Sequence, residues 1–161
     1  LEDSSALQLT LANTRARLRM TTLYYFAGIH GLLVAGTGNK VEDFGVGFFT
    51  KYGDGGVDIS PIADLLKSQV REIAAHLNIS EDIRKAAPTD GLFGDSRTDE
   101  DQIGASYAEL EWAMKMKEEG KTEADFEGRK KQVMEIYQSR NRANKHKIDP
   151  IPVCEIPVHL L

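Results

Sequence analysis

Cysteine is nearly absent from the chain: Cys154 is the single one among 161 residues, so no disulfide can close within it. That usage fits a reducing compartment. Cys154 sits in Pro150-Ile-Pro-Val-Cys-Glu-Ile-Pro157 with no base or orienting group beside it, which reads as a structural or surface thiol rather than a glutaminase nucleophile. Long apolar runs are missing too: no stretch approaches the ~20 residues needed to span a bilayer, so no membrane partner is expected. The opening LEDSSALQ lacks the basic and apolar regions of a signal peptide, and the cytoplasm is the expected location. Positive charge is in deficit, with 20 Lys and Arg against 25 Asp and Glu and a net charge of −5. Phosphate-backbone affinity comes mainly from clustered positive charge, so no nucleic-acid partner is expected. Internal repeats and low-complexity segments are also lacking.

What is present is an ordinary globular composition, 41% hydrophobic and 28% charged, at single-domain length. From about Leu9 to Gly28, Ala12, Ala16, Met20, Leu23 and Ala27 recur at three- and four-residue spacing, which predicts an amphipathic helix punctuated by Gly28 and Gly31. Leu32-Leu-Val-Ala35 is a short apolar run between glycines and reads as a buried strand. Ser60-Pro61 supplies an N-cap and a first-turn proline for a helix over 61–77, with Ile62, Leu65, Leu66, Val70, Ile73 and Leu77 as its stripe. Ser106-Tyr-Ala-Glu109 is a capping box that opens a helix carrying Trp112 and Met114. A last helix is predicted over 123–140, followed by an extended proline-rich tail beyond Asp149.

The span of most chemical interest runs from Gly36-Thr-Gly-Asn-Lys-Val-Glu42 to Gly47-Phe-Phe-Thr-Lys-Tyr-Gly-Asp-Gly-Gly-Val-Asp58. Glycines let backbone approach a ligand, and the interleaved hydroxyl, lysines and carboxylates can meet phosphate, metal and carboxylate. A strand that ends in a Gly-Thr-Gly loop is where open α/β sheets bind ligands. The Thr37 hydroxyl can bond a nucleotide, and Glu42 can give Mg²⁺ a hard oxygen. Plainer readings stand beside these. Glu42 serves equally as a helix-start carboxylate, Gly53-Asp-Gly-Gly56 as a turn, and Phe48, Phe49 and Tyr52 as core aromatics. Lys67 can snorkel to solvent from the edge of its stripe. Thr89 is a turn hydroxyl, Thr98–Asp101 a solvated loop or helix start, and Lys145-His-Lys147 a solvated helix terminus. His30, His76 and His159 show no metal-ligand spacing.

Five segments in series, GTGNKVE, GFFTKYGDGGVDISPI, APTDGLFG, TDEDQIG and the late His146-Lys147 pair, resemble NAD synthetase of the ammonia-using kind. The resemblance covers Leu9 to Pro157. It implies an α/β, Rossmann-like adenine nucleotide alpha hydrolase (PP-loop) fold, of which the chain would be the helix-rich C-terminal part, forming one domain over 1–161. The family's SGG-x-D-S phosphate loop lies upstream of these motifs and is not found in this sequence, and residue 1 is not Met. The resemblance also implies the reaction: ATP-dependent amidation of deamido-NAD to NAD through an adenylate, with ammonia as nitrogen donor. Mg²⁺ is implied as cofactor and a homodimer as the assembly. By the same resemblance ATP contacts fall on Thr37, Lys67 and Thr89, and the metal on Glu42. Deamido-NAD contacts fall on Arg17, Phe48, Lys51, Asp58, His146 and Lys147. Asp54 is placed at the ammonium, with Lys67 as its catalytic companion. Two alternatives stand beside this one: another PP-loop adenylating amidase or thiolase, or a non-catalytic dimerisation or binding fragment.

Overall fold

The computed structural model describes residues 5–160. Its longest element, α1 (Ser5–His30), turns Ala12, Ala16 and Ala27 inward. Four threonines on it, Thr10, Thr14, Thr21 and Thr22, return their hydroxyls to the carbonyls four residues back. Arg15 donates to the Leu92 carbonyl, and Arg19 donates to those of Asp90 and Gly91 at 3.1 and 3.3 Å. These bonds clamp the 90–93 loop onto α1, where Leu92 and Phe93 pack on Ala12 and Ala16.

The buried strand expected at Leu32–Ala35 is reduced to one parallel bridge, Ala35 to Ile59. Val34 is buried, but Leu32 and Leu33 are 65% and 67% exposed. A single neighbouring segment cannot cover both faces of a strand, and no named strand lies among the described residues. The helix expected over 61–77 also changes. Residues 61–65 form turns, and α2 begins only at Lys67 and ends at His76. The Leu65 carbonyl accepts from Lys40 N–H at 2.8 Å, a tertiary bond that replaces a helical one. The Gln69 side chain accepts from Leu66 N–H (2.9 Å) and Glu111 from Ser68 N–H (2.9 Å), so the new start is satisfied. Within the apolar stripe Ile62, Leu65, Leu66 and Val70 are half-buried, and Ile73 and Leu77 are exposed.

Two short helices, α3 (Glu81–Lys85) and α4 (Asp99–Ile103), precede α5 (Tyr107–Glu118). Both α4 and α5 open on capping boxes, Thr98 with Asp101 and Ser106 with Glu109. The last long helix, α6 (Gly128–Ala143), starts later than expected. Asp125 closes a separate turn with Thr122 N–H (2.8 Å), and Phe126 is extended. Phe126 instead meets Trp112 edge-on at 4.9 Å. A short α7 (Lys145–Ile148) leads into the extended tail, where Cys154 is exposed.

The core joins α5, α6 and a π-helical turn, Val41–Val46, through Val41, Val46, Leu110, Val133, Met134 and Tyr137. Arg129 grips Glu109 with two nitrogens at 2.7 and 2.8 Å, tying the starts of α6 and α5. This bond holds the Glu109 carboxyl down at about 2. Leu110 is fully buried, and Leu110→Ala is expected to cost about 3 kcal/mol, read from urea unfolding; a loss below about 1 kcal/mol would show a looser core.

Candidate active site

The site grows from the π-helical turn. Asn39, 1% exposed, accepts at Oδ1 from Val41 N–H (3.1 Å) and Glu42 N–H (3.2 Å). Its own N–H returns to Glu42 Oε2 at 3.3 Å. At the far end Asn141 donates to the Gly45 carbonyl (2.7 Å) and Asn144 to that of Val46 (2.9 Å). Gly47 then turns the chain back with φ +62, and an added Cβ would stand 2.4 Å from Asn144 Cβ. Val41 and Val46 face the core, so Glu42 and Asp43 are left to face a cavity of about 240 Å³.

The cavity is lined by Gly36, Thr37 and Gly38 together with Phe48, Phe49, Asp54 and Lys147. Gly38 lets the Asp43 carboxyl come close: a Cβ there would lie 2.3 Å from Asp43 Oδ1 and would displace that carboxyl. Asp54 caps its own turn by accepting from Thr50 N–H at 2.9 Å. Lys147 donates to the Phe49 carbonyl at 2.7 Å and stands 5.0 Å over the Phe49 ring. Three carboxylates therefore share this lining with one lysine.

Charge is costly here. Burial, then Glu42 and Asp54, push the Asp43 carboxyl up to about 6. Burial also raises Asp54, and it lowers Lys147. At the cavity's edge Lys67 pairs with Glu42 Oε1 at 3.1 Å. The Tyr107 hydroxyl donates to the same oxygen and lies 3.3 Å from Asp99 Oδ2. Asp99 is 8% exposed, its Oδ1 has no hydrogen-bond partner among the described residues, and burial followed by the Glu42 charge raises its carboxyl. Burial and the same two carboxylates keep the Tyr107 phenol protonated, well above its ordinary 10.

Of the residues singled out in the sequence, Thr37, Glu42, Phe48, Asp54 and Lys147 line the cavity, with Lys67 bonded to its rim. A second set forms a chain beside it: Arg17 donates to the Lys51 carbonyl (3.2 Å), and Lys51 donates to that of His146. Asp58 sits under the parallel bridge, accepting from Val34 N–H (2.8 Å) and Tyr24 (3.0 Å). Thr89 accepts from Gly91 N–H (3.3 Å) in the loop clamped to α1 and is not among the cavity's lining residues. Asp43, Asp99 and Tyr107 were not foreseen. Asp43 directly follows Glu42, which is a signal; Asp99 lies in a run that looks like, and is, a helix start.

Among the described residues no three of His, Cys, Asp and Glu converge to hold a metal by themselves. Glu42 and the Thr37 hydroxyl both line the cavity, and such hard oxygens are of the type a cation takes alongside phosphate and water. No helix among the described residues is long and apolar enough to cross a membrane.

The family profile described as NAD synthase matches residues 2–150. The chain belongs to the NAD synthase family. It is 40% identical over 146 residues to the NH(3)-dependent NAD(+) synthetase of Carboxydothermus hydrogenoformans, covering 91% of this chain and 56% of that one. A solved structure titled NMN synthetase from Francisella tularensis superposes with a TM-score of 0.78 at 33% identity, covering 92% of this chain and 58% of that one. The NH3-dependent NAD synthetase of Campylobacter jejuni gives 0.65 at 25%, covering 96% and 58%. The chain thus carries the helix-rich part of the PP-loop fold and spans about half the length of the curated relatives it matches.

The Asp43 carboxyl gives a test by pH. Its proton is held to about 6 in the folded protein but is released near 3.8 once unfolded. The stability it contributes is full below pH 4 and lost as pH rises through 6. Wild type is expected to lose about 1 kcal/mol more than Asp43→Asn between pH 4 and 7, a value reduced for the half-exposed side chain. Superimposable pH profiles of unfolding would contradict the shift.

Proposed function

We propose that the protein carrying this chain amidates deamido-NAD to NAD, using ATP and ammonia, and that the chain is the C-terminal part of its catalytic domain. Family membership supports the reaction class, and one observation carries the assignment of the site. A single cavity joins the Gly36–Gly38 loop and the Glu42–Lys67 pair to Asp54 and Lys147. A nucleotide on the first side and a pyridine dinucleotide on the second would meet across it.

In this reading Thr37, Lys67 and Thr89 contact ATP. Arg17, Phe48, Lys51, Asp58, His146 and Lys147 serve deamido-NAD, with Phe48 able to stack on an aromatic ring. A nicotinate carboxylate oxygen bonds to the α-phosphorus of ATP, the bond to the bridging oxygen breaks, and pyrophosphate leaves. Ammonia then attacks the acyl carbon and AMP leaves. Lys67 offsets charge on the phosphates, a contribution that relies on a preorganised cation rather than on covalent chemistry. Asp54, raised by burial, is suited to hold ammonium beside the adenylate and take up its proton.

The donor set fits Mg²⁺: Glu42 would hold it, and Asp99 Oδ1, unpaired among the described residues, leaves further oxygen capacity nearby. Bound there, the ion would neutralise phosphate charge during adenylate formation. We further assign a homodimer, supported by the apolar outer face of α1, where Leu18, Leu23, Tyr25, Phe26 and Ile29 are exposed. A cytoplasmic location accords with the lone cysteine.

Full-length protein given ATP, Mg²⁺, ammonium and deamido-NAD is expected to release NAD, AMP and pyrophosphate in equal amounts. Formation of neither NAD nor pyrophosphate would reject the reading. Nicotinate mononucleotide is the comparison substrate, given the likeness to a protein titled NMN synthetase. Lys67→Ala is expected to slow pyrophosphate release about 100-fold, a loss comparable to removing one preorganised charge-stabilising donor. An unchanged rate would take Lys67 out of the site.

A further inference from the structure

Tyr107 is the first residue of α5 and only 2% exposed, packed within the core of α5, α6 and the π-helical turn. A phenylalanine would fill that core equally well. What the tyrosine adds is a buried hydroxyl, and a buried hydroxyl requires partners. Its partners are both acidic: Glu42 Oε1, which it contacts closely, and Asp99 Oδ2 at 3.3 Å. The ring has a task as well, since Lys67 Nζ lies 4.8 Å from its centroid while pairing with Glu42 at 3.1 Å. Tyr107 is itself held on rigid elements. Its backbone N–H donates to Glu100 Oε1 at 2.9 Å, and Asp99 and Glu100 both belong to α4, which Arg140 of α6 caps at the Gln102 and Ile103 carbonyls.

We propose that Tyr107 is a positioning residue for the Glu42–Lys67 pair: its hydroxyl, oriented by Asp99, fixes the Glu42 carboxylate while its ring face fixes the Lys67 ammonium. One aromatic side chain thereby sets the spacing between the group that faces the metal and the group that faces the phosphates. The remaining freedom of Glu42 is consistent with that use. Lys67 and Tyr107 both occupy Oε1, whereas among the described residues Oε2 holds only the long contact to Asn39 N–H at 3.3 Å. Oε2 is the oxygen left to take a cation. The proposal rests on the functional reading above in assigning metal and nucleotide to these two residues.

The test uses full-length protein and a readout that needs no turnover. Mn²⁺ binding is followed by electron paramagnetic resonance in the presence of α,β-methylene-ATP, whose α–β bridge does not break and which therefore cannot donate its adenylyl group. Tyr107→Phe, which keeps the ring, is expected to weaken Mn²⁺ about tenfold. Glu42→Gln should weaken it at least as much, and the double variant should lose no more than Glu42→Gln alone, because the hydroxyl acts only through that carboxylate. Asp99→Asn is expected to give a smaller loss in the same direction, and it stands in if Tyr107→Phe proves unstable to urea. Unchanged Mn²⁺ affinity in Tyr107→Phe, or losses that add in the double variant, would overturn the proposal. A wild type that binds Mn²⁺ with the analogue but makes no NAD would sink the reaction and leave the positioning role standing.

Discussion

The site depends on satisfying the backbone of one irregular turn. A π-helical turn displaces its polar groups from the ordinary helical ladder, and buried backbone groups without partners cost stability. Here three asparagines supply them: Asn39 accepts at the start, and Asn141 of α6 and Asn144, the residue that caps its end, donate at the other. Held in this way, the turn sends Val41 and Val46 into the core and Glu42 and Asp43 toward the cavity. Packing and chemistry are thus set by a single local conformation.

A second constraint is electrostatic. Glu42, Asp43, Asp54 and Asp99 are all withdrawn from bulk water to some degree, and the last three are raised by burial. Lys67 and Lys147 are the cations set among them, and each lies over an aromatic ring as well as bonding oxygen. Carboxylates crowded in this way favour whatever brings positive charge. In the proposed reaction that charge arrives as Mg²⁺ and ammonium, which also lets two polyanionic substrates approach one another.

Much of the helical framework was legible in the sequence. Of the stripe Ala12, Ala16, Met20, Leu23 and Ala27, the three alanines form the buried face of α1 while Leu23 is exposed, and the capping box at Ser106 marked the start of α5 to the residue. Local signals failed where a distant partner decided the outcome. Lys40 takes the Leu65 carbonyl and moves the start of α2 to Lys67, so Lys67 opens a helix instead of riding mid-helix. Leu32 and Leu33 look like a buried strand, yet only one segment pairs beside them. The cavity followed the same rule. Thr37, Glu42 and Asp54 lie in one motif-rich span, whereas Tyr107 meets Glu42 across 65 residues and could not be connected to it by spacing.

The central claim is that the Gly36–Asp58 span serves two substrates from opposite sides of one cavity. It is tested most directly by titrating a single variant, full-length Lys147→Met, with each substrate in turn by calorimetry. The account predicts that deamido-NAD affinity falls about tenfold while that for α,β-methylene-ATP stays at the wild-type value, as expected for loss of one charge-assisted contact. Equal losses for both ligands, or a loss confined to the nucleotide, would contradict it.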